Sequence, residues 1–592
     1  MKFNRIVAVV VGLNAVLIGL FIAWYVTSKY PRVGLDYEYF VPHLIDTYLH
    51  YRINGLSIEW YTPGFGGGLP SYPNPQQIQF SVTQLLVFFV DPWSAILGSV
   101  FIYSLIGFLA SYYFSKKQLE FHPAAALIGA LVFSTSGYFI EHSVAGHLAH
   151  MGFTLLPCFL VFFFERRLSA LARGSLLSLL SAVLVYSGGF YPAVFLALSI
   201  LVCLPLIYLI KPQLFAWRQL GLTLMIGVLL IAGLTASKIW AVDSFMRFFP
   251  RISSDHFNVP IRTALTGLFL QLAGTMSLAP LYWLRGIRLA LLRNLLQAYT
   301  GAYAGYWELD LSVSPIVWLL LATAALAWFV ALIRQRLRLP SAKNWLAGLL
   351  LVCTVELTLE FTLARGLFYP YLSTLPILRS LHVNSRYGSA FIFPLAIVSA
   401  WIFQDLSASF SSRQRWYVYA PLNIIALVCL GAYVMIPRDQ LQQRIFSVDD
   451  SVGLYQTIRD NNQNYPVKTI MAGLKGVNAF RQNASSLTSF DPLFGYNMQN
   501  FKPLVHPGSV TDFSEGVYNM TNPTGFVYPE INGTSAFERI ADPAALQAFI
   551  NRKQPAQWKI PVAQQLLDVL AVLTLLVDMC ILGWTARRKF GR

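Results

Sequence analysis

Two acidic residues, Asp36 and Glu38, follow directly after the first apolar block of the chain. A carboxylate held at a membrane surface is partly desolvated, so it can act as a general base toward a hydroxyl group or bind a divalent cation. Solvated charges that end a helix have the same spacing, and spacing alone favours that simpler interpretation. Asp36 and Glu38 are therefore candidate catalytic residues that need support from their surroundings.

A glycine-rich segment between Trp60 and Pro70 is the second candidate, and Asn74 and Gln76 follow it closely. Its three successive glycines, centred on Gly67, predict a tight irregular turn in which the backbone can approach a ligand or another helix. A loop that serves only packing is the simpler alternative. A phosphate-binding loop is excluded because no Lys-Ser or Lys-Thr pair follows at the required spacing.

Four polar residues lie close together in a later predicted turn: Glu141, His142, His147 and His150. His147 and His150 are three positions apart, which would place both imidazoles on one face of a helix. Zinc is conceivable, but neither a cysteine nor a complete ligand set accompanies them. A polar network is the favoured interpretation. The sequence thus predicts no metal site here and leaves the cofactor open, with a divalent cation as one option.

Arginines flank two of the predicted membrane spans. Arg247, Arg251 and Arg262 follow the seventh span, and Arg379 and Arg386 precede the tenth. Arginines at a lipid–water boundary can bind a phosphate through two hydrogen bonds, or they can simply extend toward lipid headgroups. The second interpretation is the default unless a lipid-phosphate substrate is indicated by other residues.

The elements that must position these residues are membrane helices. Of the 592 residues, 56% are hydrophobic and 12% are charged, and the mean hydropathy is +0.54, so lipid must solvate most of the chain. A large soluble enzyme is excluded. The apolar blocks have the length that a helix needs to cross a hydrocarbon core. We predict about twelve spans, which start near residues 6, 92, 123, 152, 174, 191, 220, 312, 345, 388, 417 and 563.

The net charge of +16 comes from basic residues that cluster in short loops at every second boundary between apolar blocks. The positive-inside rule places such loops in the cytoplasm. The charge therefore indicates topology and no nucleic-acid partner, and both termini are predicted to face the cytoplasm.

This topology places three long segments outside: residues 28–90, 236–311 and 437–562. The third is long enough for a small folded domain, with a predicted strand at 467–471 and a helix at 542–551. We expect a transmembrane bundle over 1–436 with external loops 28–90 and 236–311, a mixed α/β domain over 437–562, and a last transmembrane helix with a basic tail over 563–592. The predicted fold is an all-α polytopic membrane bundle with a small extracytoplasmic α/β domain.

Short motifs occur in a fixed order along nearly the whole chain: Gly34-Leu35-Asp36, Trp60 to Pro70 with Asn74-Pro75-Gln76, Gly146-His147-Leu148, Tyr303 to Glu308, Ser385-Arg386, and Phe490-Asp491-Pro492-Leu493. Their order resembles the YfhO-like bacterial membrane proteins, which look like part of the GT-C class of membrane glycosyltransferases. Each motif is weak by itself, so the order carries the resemblance.

The resemblance implies transfer of a sugar from a polyprenyl-phosphate donor to an acceptor glycan or lipid. It implies a bacterial inner (cytoplasmic) membrane with the active side periplasmic or extracellular, and a partner synthase and flippase that supply the donor. Asp36 is the implied base and Glu38 its second-rank neighbour. The implied substrate-binding residues are Trp60, Gly67, Asn74, Gln76, His147 and Glu308, and the implied lipid-phosphate-binding residues are Arg247, Arg251 and Arg386.

Three other functions remain open. A transporter or flippase would need polar residues within the bilayer, and Glu356 and Glu360, one helical turn apart in the ninth span, are the main examples. An O-antigen ligase or polymerase would be expected to use Arg and His in a late external loop, where the insert holds only His506. A non-catalytic assembly protein would consume no sugar-lipid.

Overall fold

The computed structural model describes residues 2–24, 32–33, 36–247, 260–285, 310–333, 342–375, 378–381, 383–441, 446–473, 476–487, 505–521, 528, 536–538, 541–554 and 560–590. Two predicted site residues, Arg251 and Glu308, lie outside these ranges.

Helices dominate the described part of the chain. Nine of them are long and apolar enough to cross a membrane: Pro92–Gln118, Pro123–Ala145, Phe190–Ile210, Trp217–Met246, Ile316–Ile333, Lys343–Leu363, Asn384–Leu406, Ser412–Val434 and Val562–Arg588. Three shorter apolar helices, Val7–Leu20, Leu148–Phe164 and Ala170–Tyr186, coincide with the other predicted spans. The prediction of a polytopic helical membrane bundle is confirmed.

Capping residues define where several of these helices begin. The carboxylate of Asp91 accepts hydrogen bonds of 3.0 Å from the backbone N–H groups of Trp93 and Ser94, with a proline at the first helical position. The hydroxyl of Ser169 accepts one of 3.2 Å from the N–H of Ala172. These caps satisfy N–H groups that have no partner within the helix.

The helix Pro123–Ala145 occupies the centre of the bundle. Its most apolar window is 94% buried inside the protein, whereas the next highest value among the other eight is 56%. The helix is interrupted at residues 135–136, which divides it into Pro123–Ser134 and Gly137–Ala145. The central helix therefore carries the turn with Glu141 and His142 into the protein interior.

The predicted inner and outer loops are segregated to opposite ends of the bundle. At one end, Lys211 forms an ion pair with Glu120, and Nε2 of His122 lies 3.0 Å from the hydroxyl of Ser412. At the other end, strand Arg32–Val33 pairs antiparallel with strand Phe446–Ser447. The segregation agrees with the topology, while the assignment of one end to the cytoplasm stays a prediction.

An insert domain, the described part of residues 446–554, is mixed α/β. Its helices are Val448–Asn461, Val477–Arg481 and Pro543–Ile550. Strand Thr469–Met471 pairs parallel with Ala484–Ser486 and antiparallel with Gly508–Ser509, and strand Val517–Thr521 pairs antiparallel with Phe513–Ser514 and Ala536–Glu538.

The first predicted external loop completes the core of the insert domain. Trp60, Tyr61 and Tyr72 are buried in one cluster with Ile470 and Phe549 of the insert domain. The loop itself contains the helix Tyr37–Asn54, the short helix Val82–Leu86, and a hairpin of strands Tyr61–Thr62 and Leu69–Pro70. The loop and the insert domain therefore form one packed unit.

Candidate active site

The helix Tyr37–Asn54 docks its first turn against the end of the central helix. Asp36 occupies the N-cap position, and its backbone N–H donates a 3.1 Å hydrogen bond to the carbonyl of Ala145. Gly146 then turns the chain with φ of +81°, and a Cβ atom there would lie 2.6 Å from the backbone nitrogen of Tyr37. Only glycine combines this conformation with so close an approach. Gly146 thus lets Asp36 reach the histidine-rich turn.

Asp36 and His147, both predicted site residues, contact each other directly. Oδ2 of Asp36 lies 3.3 Å from Nε2 of His147, and the two side chains are 18% and 7% exposed. Asp36 is therefore largely buried but still reachable by solvent. Glu38, in the first turn of the same helix, is half-buried. Residues that are 111 positions apart in the sequence therefore share one site.

His142, His147 and His150 form a compact group, called here the histidine cluster. Their ring centroids are 4.7 Å apart for His142 and His150, 4.9 Å for His142 and His147, and 5.3 Å for His147 and His150. All three side chains are buried. Nδ1 of His150 also lies 2.7 Å from the hydroxyl of Tyr138. The predicted polar network is present, although Tyr138 carried no polar signal in the sequence.

The polar row continues from the histidine cluster to Arg386. The ring of His150 lies 5.8 Å from that of Tyr191, and the guanidinium of Arg386 lies 4.7 Å from the centroid of Tyr191. Arg386 is only 8% exposed. Sequence reasoning missed Tyr191, which lies in the first turn of the helix Phe190–Ile210. Asp36 and Arg386 are thereby the two ends of one row of buried rings.

Asn74 and Gln76 lie between the first external helix and the turn that precedes Tyr191. The side-chain amide of Asn74 donates to the hydroxyl of Tyr39 at 3.1 Å, and its carbonyl oxygen accepts from the backbone N–H of Gln76 at 2.9 Å. A Cβ atom at Gly188 would lie 3.0 Å from the backbone of Gln76. The ammonium of Lys238 donates to the carbonyl of Asn74 at 2.9 Å and so holds this loop in place.

Trp60 and Gly67 instead contact the insert domain. The backbone N–H of Trp60 donates to Oε1 of Gln554 at 2.9 Å, and that of Gly67 donates to the hydroxyl of Ser485 at 2.8 Å. These contacts favour the packing interpretation of the glycine-rich turn. Arg247 is exposed and forms an ion pair of 2.7 Å with Asp243 on its own helix.

A buried cluster of charges that sequence reasoning missed joins the first loop to the insert domain. The Asp46 carboxylate pairs with Arg552 and accepts a hydrogen bond from Thr62, and the Asp46 and Arg552 side chains are 2% and 4% exposed. Oε2 of Glu59 accepts hydrogen bonds of 2.8–3.0 Å from three neighbouring side chains, those of Thr47, Ser71 and Gln77. Burial, together with the negative charge of Asp46, raises the pKa of Glu59 to about 8.

A second acidic pair consists of Glu141, the residue before His142, and Asp310. The hydroxyl of Tyr433 lies 3.1 Å from Oε1 of Glu141 and 3.0 Å from Oδ2 of Asp310, and both acids are buried. Asp310 follows the Tyr303 to Glu308 motif by two positions, which is the signal that could have identified it. Tyr433 thus links Glu141 of the central helix to Asp310.

Glu360, the main support for a transport path, has a local structural role. Its carboxylate accepts hydrogen bonds of 2.7 Å from the backbone N–H groups of Phe368 and Tyr369, in the turn that follows its helix. A carboxylate that binds the backbone of an adjoining turn marks the end of a span. This contact removes one of the two polar residues on which the transporter interpretation depended.

Comparisons with known proteins add a likeness of overall shape only. No family model and no curated protein matches the chain, so the YfhO-like resemblance stays a prediction. Two matching solved structures are cryo-EM structures of the arabinofuranosyltransferase AftD from mycobacteria, the second a mutant, with TM-scores of 0.42 and identities of 12% and 13%. They cover 80% and 82% of this chain but 29% and 33% of AftD. The chain therefore spans a third or less of AftD, and a likeness at this level supports neither the site nor a reaction.

Proposed function

We propose that the chain is a membrane glycosyltransferase of the GT-C kind. It transfers a sugar from a polyprenyl-phosphate donor to an acceptor glycan or lipid on the extracytoplasmic side. The observation that carries the proposal is the row from Asp36 through the histidine cluster and Tyr191 to Arg386. Sugar transfer from a phosphate needs a base at one end of a site and a phosphate-binding cation at the other.

Asp36 acts as the base in this proposal. Its Oδ2 faces His147, which holds the carboxylate in place, and Oδ1 takes the proton of the acceptor hydroxyl. The hydroxyl oxygen attacks the anomeric carbon and forms the new glycosidic bond. The bond between that carbon and the phosphate oxygen breaks, and the polyprenyl phosphate leaves with the electron pair. A single displacement of this kind inverts the anomeric centre. Glu38 is the second carboxylate on the acceptor side.

Arg386 is the proposed partner of the donor phosphate. It lies almost fully buried over Tyr191, and a buried guanidinium binds phosphate oxygens strongly because its donors are charged and fixed in a plane. Arg247 is less suited because its side chain is 57% exposed, and water weakens the electrostatic attraction of an exposed guanidinium for phosphate. Arg251 stays a prediction from the resemblance.

An apolar cavity of about 380 Å³ supports a lipid-linked donor. Its fourteen lining residues are all apolar and come from five helical segments, with Leu206, Leu268, Trp318 and Leu359 among them. Phe391, five positions after Arg386, also lines it. An apolar cavity lined by the helical segment that carries Arg386 fits a prenyl chain whose headgroup is held at the arginine.

The sugar is proposed to contact the loop that contains Asn74 and Gln76. Oε1 of Gln76 is buried, and no hydrogen-bond partner for it lies among the described residues. A buried acceptor of this kind suits a sugar hydroxyl, because leaving it unpaired costs about 1–3 kcal/mol. Glu308 stays a prediction, and the contacts of Trp60 and Gly67 favour support of the loop over direct binding.

The test is a transfer assay with the purified full-length chain. Wild type and Asp36→Asn are incubated with a panel of polyprenyl-phosphate sugars and acceptor glycans or lipids, and donor loss and product are quantified. Asp542→Asn is the matched control because Asp542 also occupies a helix N-cap but lies in the insert domain. We expect donor consumption by wild type and Asp542→Asn and at least a 100-fold lower rate for Asp36→Asn.

Sealed liposomes distinguish the flippase alternative. Movement of the lipid-linked sugar across the bilayer without a new glycosidic bond would replace the proposal by transport. Equal transfer rates for Asp36→Asn and wild type would refute Asp36 as the base.

A further inference from the structure

The histidine cluster has the geometry of a metal site. One ligand atom from each of His142, His147 and His150 lies within 4.8 Å of the corresponding atoms of the other two, and each residue is at most 6% exposed. Three nitrogens bound to one zinc ion at 2.0–2.1 Å lie about 3.3 Å from each other. Small rotations of the imidazole rings, with nitrogen shifts of roughly 1 Å, would close the cluster to that spacing.

Two of the three rings are oriented by oxygen atoms outside the cluster. Oδ2 of Asp36 lies 3.3 Å from Nε2 of His147, and the hydroxyl of Tyr138 lies 2.7 Å from Nδ1 of His150. Metal-binding histidines generally use one ring nitrogen for such an oxygen, which fixes the ring and raises the basicity of the other nitrogen. The histidine cluster therefore has three possible ligand nitrogens and, around two of the rings, the oxygen partners that orient metal-binding histidines.

We propose that His142, His147 and His150 bind one zinc-like transition-metal dication, with a fourth position open to a ligand. Three neutral imidazoles select Zn²⁺ or Co²⁺ over Mg²⁺ and Ca²⁺, which prefer oxygen ligands. A carboxylate offsets part of the charge, because Oδ2 of Asp36 lies 3.3 Å from Nε2 of His147. This proposal replaces the prediction from sequence that the turn binds no metal.

The metal site extends the proposed function, on which its catalytic role rests. An ion in the cluster would lie in the row between the base, Asp36, and the phosphate-binding Arg386. Its open position is suited to an oxygen of the donor phosphate, where a dication lowers the free energy of the departing charge. Binding of the ion itself requires only the three histidines, so it can be tested without any sugar substrate.

The experiment is Co²⁺ titration of the full-length chain, purified in detergent and treated with chelator. Co²⁺ bound by three imidazoles gives visible absorption bands that Co²⁺ in water lacks. We expect wild type to bind one equivalent, and His142→Ala and His150→Ala to weaken binding by at least about 100-fold. Competition with Zn²⁺ should abolish the bands.

Two further variants keep the test decisive. Tyr138→Phe removes only the hydroxyl that orients His150 and should weaken binding by about 10- to 100-fold without disturbing the fold. His50→Ala is the matched control, because His50 is a buried histidine outside the cluster, with its Nε2 at 3.0 Å from the carbonyl of Ser57. It should bind Co²⁺ like wild type.

The absence of the Co²⁺ bands in wild type, or equal binding by wild type, His142→Ala and Tyr138→Phe, would overturn the metal site. Metal binding with no sugar transfer would leave the site intact and refute the proposed function. Sugar transfer that is unaffected by chelator, in a protein without Co²⁺ bands, would refute the metal site and leave the proposed function intact.

Discussion

The buried ion pair between Asp46 and Arg552 connects the first external loop to the insert domain, so its removal should separate the two. Arg552→Met removes the charge and keeps a side chain of similar length. The variant leaves Asp46 as an unpaired carboxylate that is 2% exposed, and it also removes the 2.8 Å hydrogen bond from Nε of Arg552 to the carbonyl of Tyr465. Breaking one partner of a buried pair costs about 3–5 kcal/mol.

Hydrogen–deuterium exchange of the amides at 541–554 measures this loss locally. A cost of about 3 kcal/mol or more corresponds to exchange that is at least about 100-fold faster, if these amides exchange when the contact opens. Arg481→Met is the matched control, because Arg481 pairs with Asp450 between two elements of the insert domain with side chains 42% and 57% exposed. An exposed pair contributes only about 0–1 kcal/mol, so exchange should change less than about fivefold.

Combining Asp46→Asn with Arg552→Met separates the cost of the unpaired Asp46 carboxylate from the cost of losing the hydrogen bond between Arg552 and the carbonyl of Tyr465. The double variant no longer buries an unpaired charge, so it should recover part of the protection that Arg552→Met loses. If Arg552→Met changes exchange at 541–554 no more than Arg481→Met does, the ion pair does not hold the insert domain to the loop.

Three further variants test other contacts. Glu59→Gln should flatten the pH dependence of thermal unfolding between pH 6.5 and 8. The pKa of Glu59 is about 8 in the folded protein, above its value in the unfolded chain. The stability that protonated Glu59 contributes is therefore lost as pH rises toward 8, by on the order of 1 kcal/mol per pH unit. An unchanged dependence of stability on pH in Glu59→Gln would contradict this assignment. Gly146→Ala should lower both stability and transfer, because a Cβ there meets backbone at a positive φ, whereas Gly221→Ala, with open space around it, should be neutral or slightly stabilising in the same unfolding assay. Arg386→Gln should raise the KM for the lipid-phosphate donor at least about 10-fold, since a charge-assisted hydrogen bond contributes about 1.5–3 kcal/mol. Arg247→Gln should change this KM less than about twofold. Equal effects of the two variants would contradict the assignment of the phosphate to Arg386.

The membrane architecture could be predicted because each span is recorded locally, in about twenty consecutive apolar residues. All twelve predicted starts fall at or near apolar helices of the structure, including the pair Ala170–Tyr186 and Phe190–Ile210, which is two helices and not one. The helix Pro543–Ile550 likewise begins where its proline predicts. Local signals were sufficient for these elements.

The site could be predicted only in part, because its contacts join distant segments. Asp36 and His147 were singled out separately, each from its own local sequence, and only the fold brings them within 3.3 Å. Tyr191 and Tyr433 carry no charge and lie in apolar sequence, so nothing local distinguishes their buried hydroxyls from ordinary membrane aromatics. Arg552 was missed for a related reason, since its partner Asp46 lies 506 positions away.

The glycine-rich turn shows how a permissive backbone leaves the sequence ambiguous. Three glycines allow approach by a ligand or by protein, and the sequence alone does not distinguish the two. In the structure, the N–H of Gly66 donates to the carbonyl of Ser486 at 2.8 Å, and that of Gly67 binds Ser485. The partner is therefore a strand of the insert domain, which lies about 420 positions later in the chain and could not be matched to the turn in advance.

The most direct test of the central claim is the rate of sugar transfer by purified Asp36→Asn protein, measured beside wild type and Asp542→Asn with the same polyprenyl-phosphate donor and acceptor. The proposed role of Asp36 as base predicts that Asp36→Asn stays folded, still binds the donor, and loses at least 100-fold in transfer rate, while Asp542→Asn retains the wild-type rate. Transfer by Asp36→Asn at the wild-type rate would contradict it.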